Sequence, residues 1–146
     1  MTVTMLVSSI MLSKLVTCDS TSNLQEVAQK IIKEDVGSVL IKKEKDICGI
    51  ITEKDLLRAI SNSRDFSNTQ AETIMSSPLD CCEAEYTLEL CMHIFDNTNR
   101  TRLVVKRDGE VVGVIRKKMV EKFLHVSKKR SLARIAHTPR FRTARW

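Results

Sequence analysis

The chain has no apolar run long enough to cross a bilayer, which takes about 18 or more consecutive apolar residues. Met1–Leu12 has no basic n-region and no small-residue cleavage site, so it does not read as a signal peptide and the expected compartment is the cytoplasm. There is no CxxC spacing, and the five cysteines (Cys18, Cys48, Cys81, Cys82 and Cys91) are odd in number. Reduced, buried thiols are therefore expected rather than a zinc site or a redox motif. His93, His125 and His137 have no ligand spacing to each other or to the cysteines, so no metal is expected. Nor is there a nucleophile–base pair with a plausible neighbour, or a carboxylate pair in a shared motif, and catalysis is not expected.

What remains is an ordinary globular composition, 42% hydrophobic and 29% charged over 146 residues. The charge is uneven. Residues 127–146 contain seven Lys and Arg and no Asp or Glu, so of the formal net charge of +6 this stretch supplies +7 and the body about −1. Phe141 and Trp146 are interleaved with those cations. Such a tail can bind single-stranded nucleic acid, dock on an acidic protein surface or stay unfolded.

The body repeats itself. Residues 8–60 and 72–124 align without a gap at a constant offset of 64. Ile10-Met11 recurs as Ile74-Met75, Leu24 as Leu88, Val39-Leu40-Ile41 as Leu103-Val104-Val105, and Gly49-Ile50-Ile51 as Gly113-Val114-Ile115. A repeat fixes architecture before any other reading. Each copy predicts a short strand (Leu15–Cys18, Leu79–Cys82), a helix, two strands and a second helix. In the first helix, Ser22–Asp35, the residues Leu24, Val27, Ala28, Ile31 and Ile32 share one face. Ser22-x-x-Gln25 can box its start, and Gly37 can close its end. The strands are Ser38–Lys42 and Ile47–Thr52, then Leu103–Lys106 and Val111–Ile115. The second helices are Glu53–Ile60 and Lys117–Val126. The result is two α+β units, 8–60 and 72–126, of order β-α-β-β-α, joined by a polar linker 61–71 and followed by a basic tail 127–146. A three-stranded sheet with helices on one face leaves the other face bare, so the two units are expected to cover each other as a pseudo-twofold pair.

These residues resemble the cystathionine β-synthase (CBS) domain pair, or Bateman module. The resemblance rests on Ile10-Met11, on Val36-Gly37-Ser38-Val39-Leu40-Ile41 and on Gly49-Ile50-Ile51-Thr52-Glu53-Lys54-Asp55-Leu56-Leu57-Arg58-Ala59, with Ile74-Met75 and Gly113-Val114-Ile115 in the second copy. It implies a non-catalytic regulatory module, homodimeric as a flat disc, that binds an adenosine-containing ligand between the copies and signals to a partner protein. It also implies that Asp55 holds the ribose hydroxyls with Thr52 beside the ribose or first phosphate. The adenine slot would be Val16, Thr17, Cys18, Val36, Gly37 and Ser38. The residue chemistry agrees: a carboxylate can accept from two neighbouring hydroxyls, and a helix start favours an anion. Thr52-x-x-Asp55 is equally a capping box for its own helix.

The copies differ where this chemistry sits. The second has Arg116 for Thr52 and Met119 for Asp55, and methionine cannot bind a diol. Arg100, Arg102 and Lys118 are either solvated surface or, as the resemblance implies, the phosphate wall of the first copy's site. On the second reading the ligand is AMP, ADP or ATP, one per chain. S-adenosylmethionine is less favoured, because a sulfonium gains nothing from a cluster of cations. The alternative is a nucleic-acid-associated adaptor working through 127–146. No membrane contact is expected.

Overall fold

The computed structural model describes residues 4–125. The first half runs α1 (Val7–Ile10), β1 (Thr17–Asp19), α2 (Leu24–Glu34), β2 (Ser38–Lys43), β3 (Asp46–Thr52) and α3 (Glu53–Ser61). The second runs α4 (Ala71–Ile74), β4 (Cys81–Glu83), α5 (Leu88–Thr98), β5 (Arg102–Arg107) and β6 (Glu110–Arg116), then α6 (117–125). Each half holds a three-stranded sheet, β1-β2-β3 and β4-β5-β6. The first pair of strands in each is parallel and the second antiparallel. No helix among the described residues is long and apolar enough to cross a membrane.

The repetition extends to backbone detail. The ladder irregularity between Ile41 and Lys42 recurs between Val105 and Lys106. Left-handed residues close α2 and α5 (Asp35, φ 52°; Asn99, φ 55°) and recur in the strand turns at Glu44 and Asp108. Asp35 thus ends α2, where the sequence pointed to Gly37; a short polar side chain tolerates the left-handed region. At the other end Asn23, not Ser22, is the cap, accepting the Glu26 N–H at 2.8 Å. Ser22 is engaged elsewhere. Its N–H donates to the Asp19 carbonyl, and its own carbonyl accepts the Ala71 N–H at 2.7 Å. Ile32, assigned to the buried stripe, is 80% exposed, while Leu24, Val27 and Ile31 are buried.

Strand alternation sorts the apolar residues into three cores. Val39, Ile41 and Ile51 pack under α2 and α3. Leu103, Val105 and Ile115 pack with Leu88, Cys91 and Phe95. The intervening Leu40, Ile50, Val104 and Val114 meet one another between the sheets. Both faces of each sheet are therefore buried, which is why Val39–Ile41 and Leu103–Val105 are unbroken apolar runs.

The halves also exchange their leading segments. The Val7 N–H donates to the Tyr86 carbonyl and the Leu12 N–H to the Val114 carbonyl, while the Glu72 N–H donates to the Ser20 carbonyl. Val7 belongs to the second half's core, and Ala71 to the first's. The isolated bridges Leu12–Val114 and Ile50–Ser76 are the same contact with the halves interchanged, as the offset of 64 requires. Close approach explains the two equivalent glycines. A Cβ at Gly49 would collide with Met75, and one at Gly113 would come within 2.8 Å of the Leu12 carbonyl oxygen.

Candidate functional site

Stacking two sheets about a pseudo-twofold axis leaves two related clefts at their edges. The first is a cavity of about 180 Å³. One side is Ile50 and Thr52 from the end of β3 with Lys54, Asp55 and Arg58 from α3. The other is Ser76, Pro78, Leu79 and Asp80 ahead of β4, and Asn99, Arg100, Thr101, Arg102 and Val104 around the start of β5. The second cavity, about 20 Å³, is lined by the repeat equivalents of many of these: Leu12, Lys14, Leu15, Val16, Val36, Gly37, Ser38, Leu40, Val114 and Arg116, together with Arg102. That volume admits roughly one water molecule.

Thr52 caps α3. Its hydroxyl accepts the Asp55 N–H at 3.3 Å, and its own N–H donates to Asp55 Oδ2 at 2.9 Å, a complete capping box. The Thr52 hydroxyl also donates to Asp55 Oδ2 at 3.0 Å, and Arg58 Nη1 approaches Asp55 Oδ1 at 3.3 Å. The box therefore exists, and the same two side chains line the larger cavity. These contacts take three of the carboxylate's roughly four acceptor positions, so accepting from both hydroxyls of a diol requires one to give way, most readily that of the exposed Arg58.

The cations around this cavity divide into two kinds. Arg58 is paired with Asp55, and Arg100 Nε with Asp80 at 2.6 Å. Lys54 and Arg102 have no carboxylate within 4.0 Å among the described residues. Arg102 faces Arg116 across the β5–β6 ladder. Burial first, then the Arg116 charge, holds the Arg102 guanidinium below its usual pKa, against the pull of Glu53 and Asp55.

The structure brings Thr52, Asp55, Arg100 and Arg102 together and separates the other sequence-derived site residues from them. Val16, Gly37 and Ser38 line the second, smaller cavity. Thr17 and Cys18 line neither cavity; they pair in β1 with Leu40 and Ile41, and Cys18 packs against the core under α2. Lys118 lies in a groove with Glu89, Met92 and Lys122, away from both cavities. The physical reason is the stacking: a cleft at the end of β3 is closed by the opposite half, not by its own β1. Four of the six slot residues have repeat equivalents that line the larger cavity. Shifting Val16, Val36, Gly37 and Ser38 by the repeat offset gives Asp80, Arg100, Thr101 and Arg102, which line the larger cavity, whereas Cys81 and Cys82, the equivalents of Thr17 and Cys18, do not. Lys54, Asp80 and Asn99 are further lining residues that the sequence reading passed over. The basic stretch 127–146 lies outside the described residues.

A family model described as the CBS domain matches this chain twice, at residues 7–62 and 71–126. An uncharacterized protein of Methanopyrus kandleri is 30% identical over 103 residues, covering 68% of this chain and 53% of its own. The chain therefore spans about half the length of that relative. A CBS domain protein of Pyrobaculum aerophilum, solved in complex with AMP, has a TM-score of 0.70 at 22% identity, over 84% of this chain and 99% of that one. A CBS domain pair solved with methylthioadenosine and S-adenosyl-L-methionine has a TM-score of 0.73 at 20% identity, over 85% of this chain and 98% of that one. At such identities the two structures establish likeness of fold.

Proposed function

Because the chain belongs to the CBS domain family, carrying two copies in tandem, we propose that it is a non-catalytic sensor of an adenine nucleotide (AMP, ADP or ATP) that signals to a partner protein. One observation carries the reading. Of two pseudo-equivalent cavities, the larger keeps Thr52 and Asp55, while the smaller has Arg116 in place of the threonine and holds Arg102 as well. A ribose diol would meet the Asp55 carboxylate, and the phosphate would meet Arg102 and Lys54, the lining cations without a carboxylate partner among the described residues. The likeness to pairs solved with AMP, methylthioadenosine and S-adenosyl-L-methionine supports an adenosine-containing ligand. The unpaired cations favour a phosphate-bearing one over a sulfonium. Self-association through the α2–α3 surface is part of the proposal, supported by Ile32, Leu57 and Ile60, each more than 60% exposed. So is a cytoplasmic setting, in which the five free cysteines would stay reduced.

The test is calorimetry with AMP and adenosine on the wild type and on Arg102→Ala. Loss of a charge-assisted contact costs about 1.5–3 kcal/mol, so AMP affinity should fall roughly 10- to 100-fold while adenosine affinity stays the same. Equal losses for both ligands would remove the phosphate assignment. Tighter binding of S-adenosylmethionine than of any nucleotide would replace the ligand class.

A further inference from the structure

Arg102 is the one side chain, among the described residues, that lines both cavities. Its guanidinium lies against Gly37. A Cβ built on Gly37 would come within 2.5 Å of Arg102 Nη2 and 3.5 Å of Cζ, so the contact exists only because residue 37 has no side chain. The repeat equivalent of Gly37 is Thr101, which lines the larger cavity. The asymmetry between the copies thus includes a glycine as well as a carboxylate.

This resting place satisfies the guanidinium poorly. No carboxylate lies within 4.0 Å of it among the described residues. Arg116, a like charge, sits opposite it in the ladder, and like charges directly opposite in a sheet repel. Glu53 flanks the same spot, its Oε1 3.4 Å from the position of that Cβ. A phosphate at the end of the larger cavity would offer a bidentate partner that the resting place lacks.

We propose that Gly37 is a parking place for the Arg102 guanidinium, and that a phosphate-bearing ligand in the larger cavity draws the guanidinium out and so unblocks the smaller one. Gly37 is then a positioning residue that acts through Arg102. The two cavities share a single cation, and filling the first changes the second. This rests on the nucleotide reading above and adds to it a means by which occupancy on one side of the pair is felt on the other. A ligand shifts such an equilibrium only by its differential affinity for the two positions of the side chain. An uncharged nucleoside therefore leaves Arg102 parked.

The test is Gly37→Ala. Gly37 does not have a positive φ, so alanine fits the backbone, and the clash falls on the flexible end of Arg102. Evicting the guanidinium removes the cost of unparking. AMP should bind about 3- to 10-fold tighter, with adenosine unchanged, and the gain should vanish in an Arg102→Ala background. Unchanged AMP affinity, equal tightening for adenosine, or a gain that persists without Arg102 would each overturn the proposal. A ligand-free arm separates it from the nucleotide reading. The Arg102 Nε–H resonance, assigned by its loss in Arg102→Ala, should shift in Gly37→Ala. If the wild type binds no adenosine compound but this shift occurs, parking stands and the nucleotide reading fails. An unmoved resonance overturns parking whatever the ligand result.

Discussion

Asp55→Ala is expected to raise the Kd for AMP at least about 100-fold while lowering stability by only about 1 kcal/mol. Two neighbouring hydroxyls accepted by one carboxylate are worth about 1.5–3 kcal/mol each, and about 2.7 kcal/mol is already two decades in Kd. The stability cost has another source. Asp55 closes the capping box on α3 by accepting the Thr52 N–H at 2.9 Å, and loss of such a cap costs roughly 0.5–2 kcal/mol. The Arg58 pair adds little, since Arg58 is 61% exposed. Asp55→Asn separates the two roles. Its side-chain oxygen can still accept from Thr52 and preserve most of the cap, but an amide binds a diol far less well than a carboxylate. Calorimetry and thermal unfolding on the three proteins measure both quantities. AMP binding by Asp55→Ala within threefold of wild type would mean that Thr52 and Asp55 only cap the helix.

The second large effect lies in the packing that creates the cavities. Leu40, 2% exposed, meets Ile50, Val104 and Val114 between the sheets. Leu40→Ala should cost about 2–5 kcal/mol, the usual range for a core leucine with its residual hole. Domains of this size hold about 5–15 kcal/mol in total. Urea unfolding should nevertheless remain one transition, at a lower midpoint. Each half's leading segment is anchored on the other: the Val7 N–H bonds to Tyr86, and the Ala71 N–H to Ser22. One half cannot open without stripping part of the other. Two separate transitions, or a loss below about 1 kcal/mol, would contradict this coupling.

The fold was legible because its signals are local and doubled. The alternation in Val39-Leu40-Ile41, buried on both faces, and the offset that carries it to Leu103-Val104-Val105 are visible in the sequence alone. Local signals also misled. Ser22 is as good a cap as Asn23, and only the bonds that hold Ser22 to Asp19 and Ala71 decide between them. The leading turns α1 and α4 are four residues each, too short to show periodicity, and they went unseen. In the candidate site, Thr52 and Asp55 stood out because the second copy lacks them. On the opposite wall Arg100 and Arg102 were legible too, but the slot residues were assigned to the first copy, because the copy that closes a cleft is set by how the sheets stack, a long-range property without a local pattern. Val16, Gly37 and Ser38 were therefore placed one repeat away from the residues that line the larger cavity, Asp80, Thr101 and Arg102. The destination of the Arg102 side chain, against a glycine of the other half, likewise follows only from three-dimensional packing.

The central claim is that one of the two pseudo-equivalent clefts is a nucleotide site and the other, with Met119 at the position of Asp55, lacks the carboxylate to hold a ribose. The most direct measurement is the stoichiometry of AMP binding to the whole chain, by calorimetric titration at protein concentrations well above Kd. The account predicts one AMP per chain. Two per chain, or no binding of any adenine nucleotide, would contradict it.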